Sequence, residues 1–103
     1  MDWPRAIALI DEGIRAVRDV ETSYGEQIGV ILHTAQPDHV SWWFETATNE
    51  GLTGYDIIGM SYYPKWSNFD VEMVGEKIGE LRRDFQKEVW IVETAYPLSL
   101  IHI

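Results

Sequence analysis

No cysteine occurs among the 103 residues, which excludes disulfide frameworks and thiolate zinc sites without placing the chain in a compartment. No apolar run is longer than a few residues, so a transmembrane helix is excluded and no membrane partner is expected. The opening residues do not set a charged segment before an apolar one, as a signal peptide would; a true start further upstream would make that silent about secretion. Basic residues are scarce, 8 against 17 acidic ones for a net charge of −9. Scattered cations on an acidic chain suit a polyanion poorly, so nucleic acid is set aside as a partner. No low-complexity segment, linker or convincing sequence repeat is present.

Apolar residues make up 46% of the chain, enough for a packed core and too many for a disordered segment. Its length allows at most one small domain. Aromatic residues reach 13%, with five Trp and five Tyr. Flat rings stack well on the apolar faces of sugars, although most aromatics in any domain fill its core.

Asp2 is a candidate helix cap with Pro4 in the first turn, and Ile7, Ile10, Ile14 and Val17 recur at helical steps through about Val20. Tyr24-Gly25 breaks this pattern, and Ile28 to Leu32 follow as an apolar strand ending at His33. Pro37-Asp38 opens a second helix that buries Val40, Trp43, Phe44 and Ala47, with Gly51 suited to a left-handed cap. Asp56 to Tyr63 reads as a strand stopped by Pro64. Val71, Val74, Ile78, Leu81 and Phe85 give a third helix, and Val89 to Val92 a last strand leading into Glu93.

Helix and strand therefore alternate, with strands starting near residues 28, 56 and 89, about one parallel β-α-β unit apart. Strands apolar on both faces belong to a parallel sheet covered by helices. Alone, three such strands would leave long apolar edges unpaired. They are about three-eighths of a (β/α)₈ barrel, which typically needs around 250 residues. A doubly wound sheet is disfavoured because no Gly-rich phosphate loop follows any strand. The expected fold is α/β, a partial (β/α)₈ TIM barrel over residues 1–97.

In such barrels the chemistry lies at the C-terminal ends of the strands. Those ends carry His33, then Ser61-Tyr62-Tyr63-Pro64 with Trp66 nearby, then Glu93-Thr94-Ala95-Tyr96-Pro97. A carboxylate directly after four apolar strand residues is costly if buried without partners, so Glu93 needs a reason to be there. It is either one of a glycosidase carboxylate pair or a solvated or helix-capping side chain. A Tyr hydroxyl donating to Glu93 would orient it and favour its charged form. Tyr62 and Tyr63 point to opposite faces of a continuous strand, so only one of them faces the barrel interior. Asp38 caps the second helix, the preferred reading, or reaches substrate; Trp66 stacks on a sugar or packs on the protein. Trp42 lies off the apolar stripe, Asp56 is structural, and His39 has no metal-ligand partner at suitable spacing; neither a metal nor a cofactor is expected.

Ser61-Tyr62-Tyr63-Pro64-Lys65-Trp66 and Val92-Glu93-Thr94-Ala95-Tyr96-Pro97, thirty or so residues apart, resemble the endo-β-1,4-galactanases of glycoside hydrolase family 53. Ile31-Leu32-His33 followed by Asp38 is similar to that family's fifth-strand segment, and Trp3 to Val20 to its fourth helix. The resemblance implies a fragment running from the fourth helix to the seventh strand of a retaining (β/α)₈ enzyme, with Glu93 as nucleophile. It further implies that His33 hydrogen-bonds a sugar hydroxyl, and that Tyr62, Tyr63, Trp66 and Asp38 are the other candidates for substrate contact. The partner would be β-1,4-galactan, the complete enzyme a secreted monomer. The family's acid/base is a Glu after Asn at the end of the fourth strand, and no such pair precedes the first helix. Asn49-Glu50 closes a helix instead and is a chance match. The acid/base is thus expected upstream of Met1, and the chain by itself is expected to be inactive.

After Pro97 the family usually continues with Trp, whereas Leu98 to Ile103 follow here. Residues 98–103 read as a non-native tail encoded by a sequencing adapter. Two other functional readings stay open from these residues: a related retaining β-glycosidase of the same clan, or a non-catalytic sugar-binding barrel.

Overall fold

A computed structural model describes residues 2–95. The elements alternate: α1 (Trp3–Tyr24), β1 (Ile31–Ala35), α2 (Pro37–Asn49), β2 (Ile57–Tyr62), α3 (Val71–Phe85) and β3 (Glu88–Thr94). The three strands form one parallel sheet in the order β1-β2-β3. Tyr96, Pro97 and the 98–103 tail lie outside the described residues.

Each helix starts where its sequence supplies an acceptor or a pre-set φ. Asp2 accepts from the Arg5 amide at the head of α1, with Pro4 in the first turn. Asp70 accepts from the Met73 amide at 2.8 Å at the head of α3. The cap of α2 is Gln36, not Asp38, which sits inside the first turn. Two helices close through left-handed residues, Gly25 after α1 (φ 67°) and Gln86 after α3 (φ 55°). Gln86 is the one described non-glycine residue with positive φ, and its side-chain amide donates to the Arg83 carbonyl at 2.7 Å.

β2 is buried along its whole length and divides the molecule. On one face Ile58, Met60 and Tyr62 join Val40, Phe44, Ala47, Val74 and Leu81 in the core beneath the helices. Fully burying an apolar side chain of this size contributes roughly 1.5–3 kcal/mol. On the other face lie Ile57, Gly59 and Ser61, by the alternation of a strand. The outer strands are less covered: Ile31, Trp90, Ile91 and Val92 are all exposed.

The first strand begins three residues later than its apolar run suggests. The Ile28 and Val30 amides are taken by side chains, while the Val30 carbonyl accepts from the amides of Asp56 and Ile57. The Ile28 amide donates to Glu21, and the Val30 amide donates to Asp56 Oδ2 at 2.7 Å. Arg18 ties this end together, donating to Glu21, Asp56 and the carbonyls of Ile28 and Gly54. Asp56 is held below the usual carboxylate range, first by the Val30 amide and then by Arg18. On the neighbouring side Lys87 donates to the carbonyls of Thr53 and Tyr55. These polar clasps close the N-terminal end of the sheet and leave the opposite end for the remaining polar groups.

Both outer strands slip by one residue against β2. His33 pairs with Gly59 but Ala35 with Met60, and Met60 pairs with Ile91 but Ser61 with Glu93. Thr34 and Val92 are the extra residues. Such bulges bend a strand and re-aim the side chains beyond them.

Candidate active site

Four side chains meet at the C-terminal end of the sheet. Ser61 stands at the centre, buried at 8% exposure on the face away from the helices. Its hydroxyl lies 2.5 Å from His33 Nε2 on β1 and donates to Glu93 Oε2 on β3 at 3.2 Å. Tyr63, just past β2, also hydrogen-bonds Glu93. The Glu93 carboxyl is held below its ordinary range, first by the Tyr63 hydroxyl and next by the Ser61 hydroxyl. The same bond holds the Tyr63 phenol above its usual range, because a donor to a carboxylate is reluctant to lose its proton.

Glu93 is exposed in this chain, so the expected burial cost does not arise. Its hydrogen-bond partners account for its conformation instead. It lies inside β3, one residue before the end, and not after the strand.

Tyr62 and Tyr63 separate as strand alternation requires. Tyr62 is buried among the helices, and its hydroxyl donates to the Phe69 carbonyl at 2.8 Å. This packing turns it away from Glu93. The Tyr63 amide donates to Gln36 Oε1 at 3.2 Å, a contact that joins the end of β2 to the cap of α2. Trp66 is 68% exposed and tilts against the Tyr63 ring, with centroids 5.5 Å apart. Lys65 Nζ lies 5.8 Å from the Trp66 ring centre. An aromatic pair open to solvent therefore borders the carboxylate.

Asp38 does not cap α2. Its two carboxylate oxygens hold the loop after β2, accepting from the Ser67 hydroxyl at 2.5 Å and from the Asn68 amide at 2.9 Å. Burial raises its pKa, but these hydrogen bonds together outweigh that and leave it lowered. Asp38 thereby fixes the segment that carries Trp66. Trp42 packs edge-on against Trp3 at the head of α1, 5.9 Å between ring centres. Among the described residues, no group of three His, Asp or Glu side chains converges to hold a metal ion.

Reading the sequence assigned no role to Ser61, nor to Gln36, which holds the Tyr63 amide. A signal for Ser61 existed: it is a polar residue closing an apolar strand, two positions before Tyr63 and so on the same face. Gln36 carries no comparable mark, because its contact depends on how α2 docks.

Comparison with known proteins bears on the same residues. The family model of glycosyl hydrolase family 53 matches residues 1–102. The chain belongs to that family. It is 44% identical over 99 residues to an arabinogalactan endo-beta-1,4-galactanase of Cellvibrio japonicus (strain Ueda107), covering 96% of this chain and 26% of that protein. It is 30% identical over 98 residues to an endo-beta-1,4-galactanase of Bacillus subtilis (strain 168), covering 92% and 21%. An arabinogalactan endo-beta-1,4-galactanase of Thermothelomyces thermophilus is 27% identical over 103 residues, covering 95% and 31%. The chain thus spans about a quarter of the length of these curated relatives. No solved structure matches it significantly.

Proposed function

We propose that this chain is part of the catalytic barrel of a retaining endo-β-1,4-galactanase, with Glu93 as its nucleophile. The observation that carries the reading is a carboxylate kept ionised by Tyr63 and Ser61 at the C-terminal end of a parallel sheet, in a member of glycosyl hydrolase family 53. The sheet would be the fifth to seventh strands of a (β/α)₈ barrel. Its neighbours would pair with the outer strands and cover Ile31, Trp90 and Val92.

In this reading the Glu93 carboxylate attacks the anomeric carbon of a galactosyl unit. The bond to the leaving oxygen breaks as a second carboxylic acid protonates that oxygen. Water then attacks the galactosyl–Glu93 ester from the opposite side, giving up its proton to that second group and restoring the starting configuration. Retention needs the two carboxyls about 5–5.5 Å apart. The second group belongs to sequence outside this chain, so these residues alone are inactive. Tyr63 holds Glu93 charged and aimed, while Trp66 offers a stacking face and His33 a hydrogen-bonding ring to the sugar. Since galactan is an extracellular polymer, the complete enzyme works outside the cell.

The test is Glu93→Ala in the complete enzyme together with the configuration of the first sugar released. Loss of galactan cleavage by the variant, and a first product from the parent that retains its β configuration, are expected. Cleavage that survives the substitution, or an inverted first product, refutes the assignment.

A further inference from the structure

Ser61 sits between a base and a carboxylate with only one proton to give. Its hydroxyl donates to Glu93 Oε2, and an ionised carboxylate has no hydrogen to return. What Ser61 then presents to His33 Nε2, 2.5 Å away, is a lone pair. Two lone pairs do not hydrogen-bond, so a proton must stand on Nε2.

We infer that Ser61 is a positioning residue that fixes the His33 tautomer and the Glu93 rotamer together, through a one-way chain from His33 Nε2–H to Ser61 Oγ–H to Glu93 Oε2. The functional part of this inference rests on the reading of Glu93 as the nucleophile. The chain of hydrogen bonds does not.

Geometry gives the chain its purpose. Tyr63 alone would hold Glu93 by a single bond, about which a carboxylate pivots freely. Ser61 adds a second donor from inside β2, and that donor is itself buried and fixed from the β1 side by the imidazole. All three strands thereby share one polar network, and the attacking oxygen is set by the sheet rather than by a loop.

The experiment uses the complete enzyme with ¹⁵N-labelled histidine. Long-range ¹H–¹⁵N correlations identify which ring nitrogen of neutral His33 carries the proton, and Nε2–H is expected. Kinetics then compare Ser61→Ala and Ser61→Thr. The alanine variant is expected to lose roughly 10- to 100-fold in kcat with KM within about twofold, because misplacement of a reacting group acts mainly on the chemical step. The threonine variant, which keeps a hydroxyl, is expected to recover most of that loss. An Nδ1–H tautomer in the parent enzyme overturns the inference, and so does an alanine variant with unchanged kcat. The two readings fail separately: cleavage by Glu93→Ala removes the nucleophile assignment, while the tautomer reports on the hydrogen-bond chain whatever the chemistry.

Discussion

Gly59 is where the fold and the site constrain each other most tightly. A Cβ placed there would lie 2.8 Å from Ile31 Cγ2, 3.2 Å from the Leu32 carbonyl oxygen and 3.3 Å from His33 Cα. The first contact is with a methyl at the end of a side chain, but the other two are backbone of β1. That strand is laddered to β2 in fixed register and packs Leu32 and Ala35 against the core, so it cannot step aside alone. Gly59→Ala is therefore an overpacking substitution, which costs about 1–3 kcal/mol, less the roughly 0.4–1 kcal/mol returned by a stiffer unfolded chain. A net loss of up to about 2.6 kcal/mol is expected, read as a lower urea midpoint at unchanged slope for the complete enzyme. Because β1 must move away from β2, the His33–Ser61 contact lengthens and kcat falls as well. Gly54→Ala is the matched control. Its added methyl would meet only Ile14 Cγ2 at 3.5 Å, an ordinary contact, so stability should hold or rise slightly. If Gly59→Ala proved as stable and active as Gly54→Ala, the close approach of β1 to β2 would be wrong, and with it the register that brings His33 to Ser61.

Four further substitutions separate packing from chemistry. Phe44→Ala removes a fully buried ring that touches Trp43, Tyr55 and Phe85, and should cost about 3–5 kcal/mol in unfolding free energy; a loss below about 1 kcal/mol would refute its central place in the core. Tyr63→Phe takes away the largest influence holding the Glu93 pKa down, so the acid limb of kcat/KM should move to higher pH. Tyr62→Phe removes the donor to Phe69 and should leave that limb in place while lowering stability by about 0.5–1.5 kcal/mol; equal pH profiles for the two variants would refute the division of roles. Asp38→Asn retains one acceptor for two donors and should loosen the loop bearing Trp66, seen as faster proteolysis near Ser67. Because the folded pKa of Asp38 is lowered, its contribution is present above the ordinary carboxylate range and vanishes as pH falls through that lowered value. The parent and Asp38→Asn should therefore converge in strongly acidic buffer, and a gap that persisted there would contradict the ionised state of Asp38.

The order of elements was legible because it depends on local chemistry. Apolar spacing, Asp2 as a cap and the break at Tyr24-Gly25 act within a turn or two of chain. The start of β1 was not legible in the same way. Ile28 and Val30 have strand-like side chains, but their amides are taken by Glu21 and Asp56, which come from elsewhere in sequence. The role of Asp38 was hidden for the same reason: its hydrogen-bond partners, Ser67 and Asn68, lie about thirty residues further on.

Glu93 shows most clearly what alternation alone misses. Val89 and Ile91 pair with Ile58 and Met60, residues on the core-facing side of β2. Two steps further on, a regular strand would send Glu93 to that same side, among the helices and away from Ser61 and His33. The slip between Met60 and Ser61 makes Val92 the extra residue and sets Glu93 opposite Ser61. One inserted residue thus moves a carboxylate from the helix layer to the polar cluster, and no count of apolar positions in β3 reveals it. Deleting Val92 should restore simple alternation with Glu93 directly after Ile91, and so still opposite Ser61 on the side of the polar cluster. Galactan cleavage by the deletion variant of the complete enzyme is therefore expected to survive, and its loss in a folded variant would refute this account of how Glu93 is aimed.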